Sequence, residues 1–89
     1  MVCIKRIVLD VLKPHQPNVL EFSQHIAEVG VDYRVHLTVL EVDENTETIQ
    51  LELEGNAIEF DAVKDAITSM GGSVHSIDEV DVHNEDDNE

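Results

Sequence analysis

Five carboxylates carry the most suggestive chemistry in this chain: Asp10, Glu41, Asp43, Asp78 and Glu79. All offer hard oxygen ligands, which suit calcium or magnesium rather than zinc or copper. Asp78 and Glu79 lie within Ser73-Val74-His75-Ser76-Ile77-Asp78-Glu79-Val80-Asp81-Val82, directly after Gly71-Gly72. Neighbours along a strand point to opposite faces. Both acids therefore join one site only through a bulge or a neighbouring subunit. Against a cation site stands composition: with 20 acidic residues in the chain, solvated acids are expected at many positions.

A second constellation is His75 with Ser73, Ser76 and Asp78, the residue types of a nucleophile and its base. Strand geometry argues against it. Ser76 and Asp78 share a face that His75 does not, and no nucleophile elbow or oxyanion-hole pattern is present. No catalytic residue and no enzyme are expected, and His75 is read as structural. His15, between Pro14 and Pro17, is a lesser candidate for a small-ligand pocket at a loop–helix junction. Gly71-Gly72 follows a helix pattern and precedes a strand, so it closes a helix rather than cradling a phosphate. Cys3, the only cysteine, excludes an internal disulfide and a cysteine zinc cluster.

The elements that must position these residues come from one short domain. Eighty-nine residues bury only about 60–65% of their unfolded surface, so association with further copies would help. Five Lys+Arg against 20 Asp+Glu give a net charge of −15. Nucleic acid requires a basic footprint, and anionic membranes disfavour such a chain. No apolar run approaches the roughly 20 residues of a membrane span, and no charged-then-apolar leader is visible, so no signal peptide is expected. So many like charges repel one another. That fits a saline cytoplasm, where the Debye length falls to about 3 Å near 1 M salt.

Ile4 to Lys13 reads as a strand with apolar residues on both faces, as for a central strand. Val19, Phe22, Ile26 and Val29 fall at helical spacing, with Pro17 expected in the first turn and Gly30 at the end. Val31 to Asp43 and Glu47 to Gly55 alternate as strands. Parity sets Val39 against Leu51 and Leu37 against Leu53, which leaves Glu44-Asn45-Thr46 as a three-residue loop with Asn45 at positive φ. Val63, Ala66, Ile67 and Met70 mark a second helix from Phe60. Ser73 to Val82 closes the order, and residues 84–89 form an acidic tail expected to be disordered. The expected domain is thus residues 1–83.

The order β-α-β-β-α-β is the split βαβ pattern of ferredoxin-like folds. The expected class is α+β: a four-stranded antiparallel sheet in order 4-1-3-2, with two helices on one face. The other face is expected to carry Arg6, Val8, Asp10, Leu12, His36, Thr38, Leu40, Val42, Thr48, Gln50, Glu52, Glu54, Val74, Ser76, Asp78 and Val80. Such a mixed face suits a protein–protein interface, and a homo-oligomer is the simplest partner. Arg6 is expected to pair with Glu52 or Glu54. In the last strand Val74, Ile77, Val80 and Val82 keep no single alternation. Either a bulge lies around Asp78-Glu79, or a neighbouring subunit covers the second face.

Three runs carry a resemblance: Arg6-Ile7-Val8-Leu9-Asp10-Val11-Leu12-Lys13-Pro14-His15, Val39-Leu40-Glu41-Val42-Asp43, and His75-Ser76-Ile77-Asp78-Glu79-Val80. From Lys5 to about Val82 the chain resembles the archaeal domain-of-unknown-function family number 211. The resemblance implies a ferredoxin-like fold, an archaeal cytoplasmic source and ring-like or other homo-oligomeric assembly. It implies no established activity. The acidic tail and low lysine count depart from a typical thermophilic member. The resulting expectation is a non-enzymatic homo-oligomeric module. The alternative is a regulatory module binding a divalent cation or small metabolite where subunits meet.

Overall fold

A computed structural model describes residues 1–85. The elements are β1 (Val2–Pro14), α1 (Val19–Ala27), β2 (Arg34–Val42), β3 (Thr46–Glu54), α2 (Phe60–Ser69) and β4 (Ser73–Asn84). They form one antiparallel sheet in the order β2-β3-β1-β4, the expected 4-1-3-2 arrangement read from the other edge. Both helices pack on one face. Ile7, Leu9 and Val11 of β1 and Ile49, Leu51 and Leu53 of β3 meet Phe22 and Ile26 of α1 and Val63 and Ile67 of α2 in a single buried cluster. The two inner strands supply the centre of this core because only they have a strand on each side.

The α1 N-terminus differs from the expectation by one residue in kind. Asn18 is the cap, its side chain accepting from the Glu21 N–H at 2.8 Å. Pro17 precedes the cap instead of filling the first turn. An asparagine cap satisfies an otherwise orphaned helix N–H, which a proline cannot do. After α1, residues 28–33 form turns rather than strand, so β2 begins at Arg34 instead of Val31. Two bonds tie this stretch to the β3–α2 connection: Asp32 accepts from the Asn56 N–H at 3.1 Å, and the Tyr33 hydroxyl accepts from the Glu59 N–H at 2.8 Å. At the end of α2, Gly71 adopts φ 86°, the left-handed conformation that closes helices.

The β2–β3 register corrects the parity argument. Val35, Leu37 and Val39 lie opposite Leu53, Leu51 and Ile49, two residues from the expected pairing. Leu40 is then an extra residue on β2, a bulge that carries the ladder to Glu41–Thr48 and Val42–Glu47. The Asp43 N–H donates to the Thr46 carbonyl at 2.8 Å, so only Glu44 and Asn45 lie between them. Among the described residues no residue other than glycine has positive φ, so Asn45 is not left-handed. Without a bulge, a two-residue loop would put the apolar residues of β2 and β3 on mixed faces; the extra residue Leu40 removes that conflict. It also turns Val42 to the helix side, opposite Glu47, rather than to the open face.

On the other edge, β4 carries two extra residues, His75 and Asp78, and β1 carries one, Lys5. These irregularities place Val74, Ile77, Val80 and Val82 opposite Val11, Leu9, Ile7 and Ile4. Opposed residues share a face, so all four aliphatics lie on the helix side. Val74 and Val80 are therefore not on the open face. The strand also outlasts the expected domain end. Asn84 pairs with Val2, the Glu85 N–H donates to the Met1 carbonyl at 2.6 Å, and the Glu85 carboxylate pairs with Lys5. The rest of the expected tail, 86–89, lies outside the described residues.

Candidate functional site

The five carboxylates are spread across the sheet. Asp10 lies on the open face of β1, between Gln50 of β3 and Ser76 of β4. Glu41 lies opposite Thr48 on the far edge strand, and Asp43 lies in the hairpin turn beyond it. Adjacent strands are about 4.8 Å apart, so Glu41 stands roughly 10 Å from β1, far beyond a shared coordination sphere of about 2.3–2.6 Å. Asp78 accepts from the Ser76 hydroxyl at 2.7 Å, and Glu79 accepts from Arg6 Nε at 2.8 Å. Among the described residues, no group of three or more His, Cys, Asp or Glu is placed to hold a metal ion. Glu41 and Asp43 lie at the end of the sheet, whereas Glu79 pairs beside Val8 in the middle of β1, so a single chain does not bring the five acids together.

His75 meets Asp10 of β1 rather than Asp78, the acid nearest to it along the chain. Its bulge aims the ring at β1, where Nδ1 lies 3.5 Å from Asp10 Oδ2. Asp10 Oδ1 is buried with no hydrogen-bond partner. A cavity of about 210 Å³ is lined by Asp10, Leu12, Thr48 and His75. The hydroxyl of Ser76 points to Asp78, not to the imidazole.

The centre of the open face is an arginine hub. Arg6 reaches Glu54 at 3.1 Å, Glu52 at 3.3 Å and Glu79 at 2.8 Å through its three nitrogens. Glu52, Val8 and Glu79 form one row across three strands, and Arg6 bridges the two outer acids of that row. Val8 is only 5% exposed as a result. Hydrogen bonding to Glu79, foremost among these contacts, raises the Arg6 pKa above its ordinary value. The face expected to mix apolar and charged residues is therefore ionic at its centre. Exposed aliphatics remain at its margins, on Leu12 and the bulged Leu40.

Most exposed apolar surface on the strands lies instead along the free edges. On β4, Ile77, Val80 and Val82 are 49%, 50% and 47% exposed; on β2, Val39, Leu40 and Val42 are 41%, 57% and 62% exposed. Val35 and Leu37 of β2 and Val74 of β4 pack against the core, whereas these residues further along the same strands are left exposed.

One cluster was not anticipated. Lys13 continues the Ile7-Leu9-Val11 parity and is fully buried. Its Nζ donates to the Pro14 carbonyl at 2.8 Å and to Glu47 at 3.1 Å, and it lies 5.6 Å from the Phe22 ring centre. The other oxygen of Glu47 faces His15 Nδ1 at 3.2 Å, and His15 Nε2 lies 3.0 Å from the Glu44 carbonyl. The signal was present in the sequence: a lysine on the apolar parity of a central strand needs a buried counter-charge, and Glu47 occupies the matching parity of its neighbour. His15, its side chain 38% exposed, is thus tied to Glu47 and to the turn between β2 and β3.

The model of the domain-of-unknown-function 211 family, described as uncharacterized ArCR, matches residues 5–85. An uncharacterized protein of Methanocaldococcus jannaschii, MJ0319, is 43% identical over 77 residues, covering 86% of this chain and 79% of that protein. No helix of the described residues is long and apolar enough to cross a membrane. With a match spanning almost every described element, the chain belongs to the domain-of-unknown-function 211 family.

Proposed function

We propose that the chain is a non-enzymatic module that assembles with copies of itself through the free edges of its sheet. The observation that carries this reading is the double row of exposed aliphatics, Ile77, Val80 and Val82 on β4 and Val39, Leu40 and Val42 on β2. An edge strand also presents unpaired N–H and C=O groups, and lysine or proline commonly guards such edges. Neither residue occurs in β2 or β4. Charge favours joining unlike edges. β4 carries Asp78, Glu79 and Asp81, whereas β2 begins with Arg34, 84% exposed and 3.7 Å from Glu54. Two β4 edges would face acids with acids. β4 of one copy beside β2 of the next runs antiparallel, because the sheet order leaves these two strands in opposite directions. Such head-to-tail contacts close into a ring or extend as a filament. The non-enzymatic reading is supported by geometry: the Ser76 hydroxyl donates to Asp78 while His75 faces Asp10, so the two are not joined as nucleophile and base.

The test is mass under native conditions. The parent protein is expected at a multiple of 10.0 kDa, and Val80→Lys, which places a charge on the β4 row, is expected to return it to the monomer with its far-ultraviolet spectrum intact. A parent that remains monomeric at high concentration and high salt overturns the reading.

A further inference from the structure

We propose that His15 is a proton-operated clasp that fastens the β2–β3 turn to the β1–α1 loop. The argument starts from donors and acceptors. His15 Nε2 faces the Glu44 carbonyl at 3.0 Å, and Nδ1 faces Glu47 Oε2 at 3.2 Å. A carbonyl and a carboxylate only accept. A neutral imidazole has one N–H and one lone pair, so it satisfies one of these partners and turns its lone pair to the other. The imidazolium has two N–H donors and satisfies both. The proton is therefore the part that completes the bridge from the loop after β1 to the turn between β2 and β3.

The surroundings favour the same form. Glu47 is also held by Lys13, which is buried and anchored to the Pro14 carbonyl and the Phe22 ring, so the carboxylate is fixed where the imidazole meets it. The groups facing His15 are Glu47 from β3, with Lys13 from β1 behind it, and the Glu44 and Asp43 carbonyls from the turn. The hydrogen bond to Glu47, then that to the Glu44 carbonyl, raises the His15 pKa above its ordinary value. Lys13, then His15, lowers that of Glu47. The sign follows. A raised folded-state pKa gives stability that is complete below the unfolded value of about 6.5 and is lost as pH rises through the folded value. The clasp closes on acidification and opens on the alkaline side. It lies at the end of the sheet that carries exposed Leu40 and Val42, yet it stands whether or not that edge joins another copy.

Long-range proton–nitrogen correlation spectra of the imidazoles test this directly on the full chain. His15 is expected to titrate above about 6.5, with both ring nitrogens protonated below its midpoint. A midpoint at or below that value overturns the clasp. In Glu47→Gln the amide N–H can donate to a neutral Nδ1, so the midpoint is expected to fall; an unchanged midpoint overturns the assignment of Glu47. Should that variant not fold, because Lys13 loses its counter-charge, His15→Gln decides. The stability difference between parent and His15→Gln is expected to widen from about pH 8 to about pH 5.5. A difference that stays constant over that range overturns the proposal.

Discussion

At the scale of single residues, the inner strands obey the simplest physics and the charged side chains do not. Leu9 is fully buried, with Leu51 and Ile77 on either side in one row of the sheet. Leu9→Ala removes packed methyl groups and leaves a cavity, so it is expected to lower stability by about 3 kcal/mol. Urea unfolding checks this through a lower midpoint at unchanged slope; a loss under about 1 kcal/mol would show that the core collapses around the gap. Arg6 and its pairing with Glu52 and Glu54 were legible from cross-strand parity alone. Its third partner, Glu79, was not, because the bulge at Asp78 decides which β4 residue stands beside Val8. Lys13 and Glu47 stand opposite each other in the same way, and their parity betrays them once a lysine in an apolar series is treated as a demand for a partner. His15 is different. Nothing in a sequence tells which carbonyl a loop imidazole will meet.

At the scale of elements, bulges are the devices that reconcile pattern with pairing. In β4 the aliphatics at 74, 77 and 80 are three residues apart, which no regular strand can place on one face. The extra residues His75 and Asp78 make it possible. A bulged residue has no partner of its own, so deleting Asp78 leaves every other β4 side chain on its present face. That deletion is expected to cost little, under about 1 kcal/mol, with cooperative unfolding retained. Deleting Gln50 from β3, where the pairing with β1 is unbroken over nine residue pairs, turns one end of the strand inside out. Loss of the cooperative transition is expected there. Calorimetry of the two deletions compares them, and equal damage from both would contradict the assigned bulges. The same logic explains the β2–β3 correction. A two-residue slip keeps every side chain on its face, so alternation could not distinguish the expected register from the observed one.

At the scale of the whole molecule, charge and edge surface set the behaviour. With 20 acidic residues and 5 basic ones, repulsion outweighs the few attractive pairs, and salt screens both. The melting temperature is expected to rise by several degrees on moving from low to molar KCl; a melting point indifferent to salt would remove the case for a saline host. Salt is also expected to favour association, since copies of charge −15 must approach one another before the aliphatic edges can meet.

The sequence by itself determined the order of elements, the faces of the inner strands, the strand order of the sheet and the membership of a family. The elements and their arrangement depend on local periodicity and on the handedness of connections, and the family on the resemblance carried by particular runs of residues, all of which the chain holds along its length. Only the tertiary structure decided where the bulges fall, which acids Arg6 gathers, and that Asp10, Glu41, Asp43, Asp78 and Glu79 stand apart within one chain. It alone joined His15, Glu47 and Lys13. Those outcomes depend on how strands slide against each other by whole residues and on which loop ends come within about 3 Å. Side-chain periodicity is blind to a two-residue shift, and residues far apart in sequence become neighbours only when the sheet has formed.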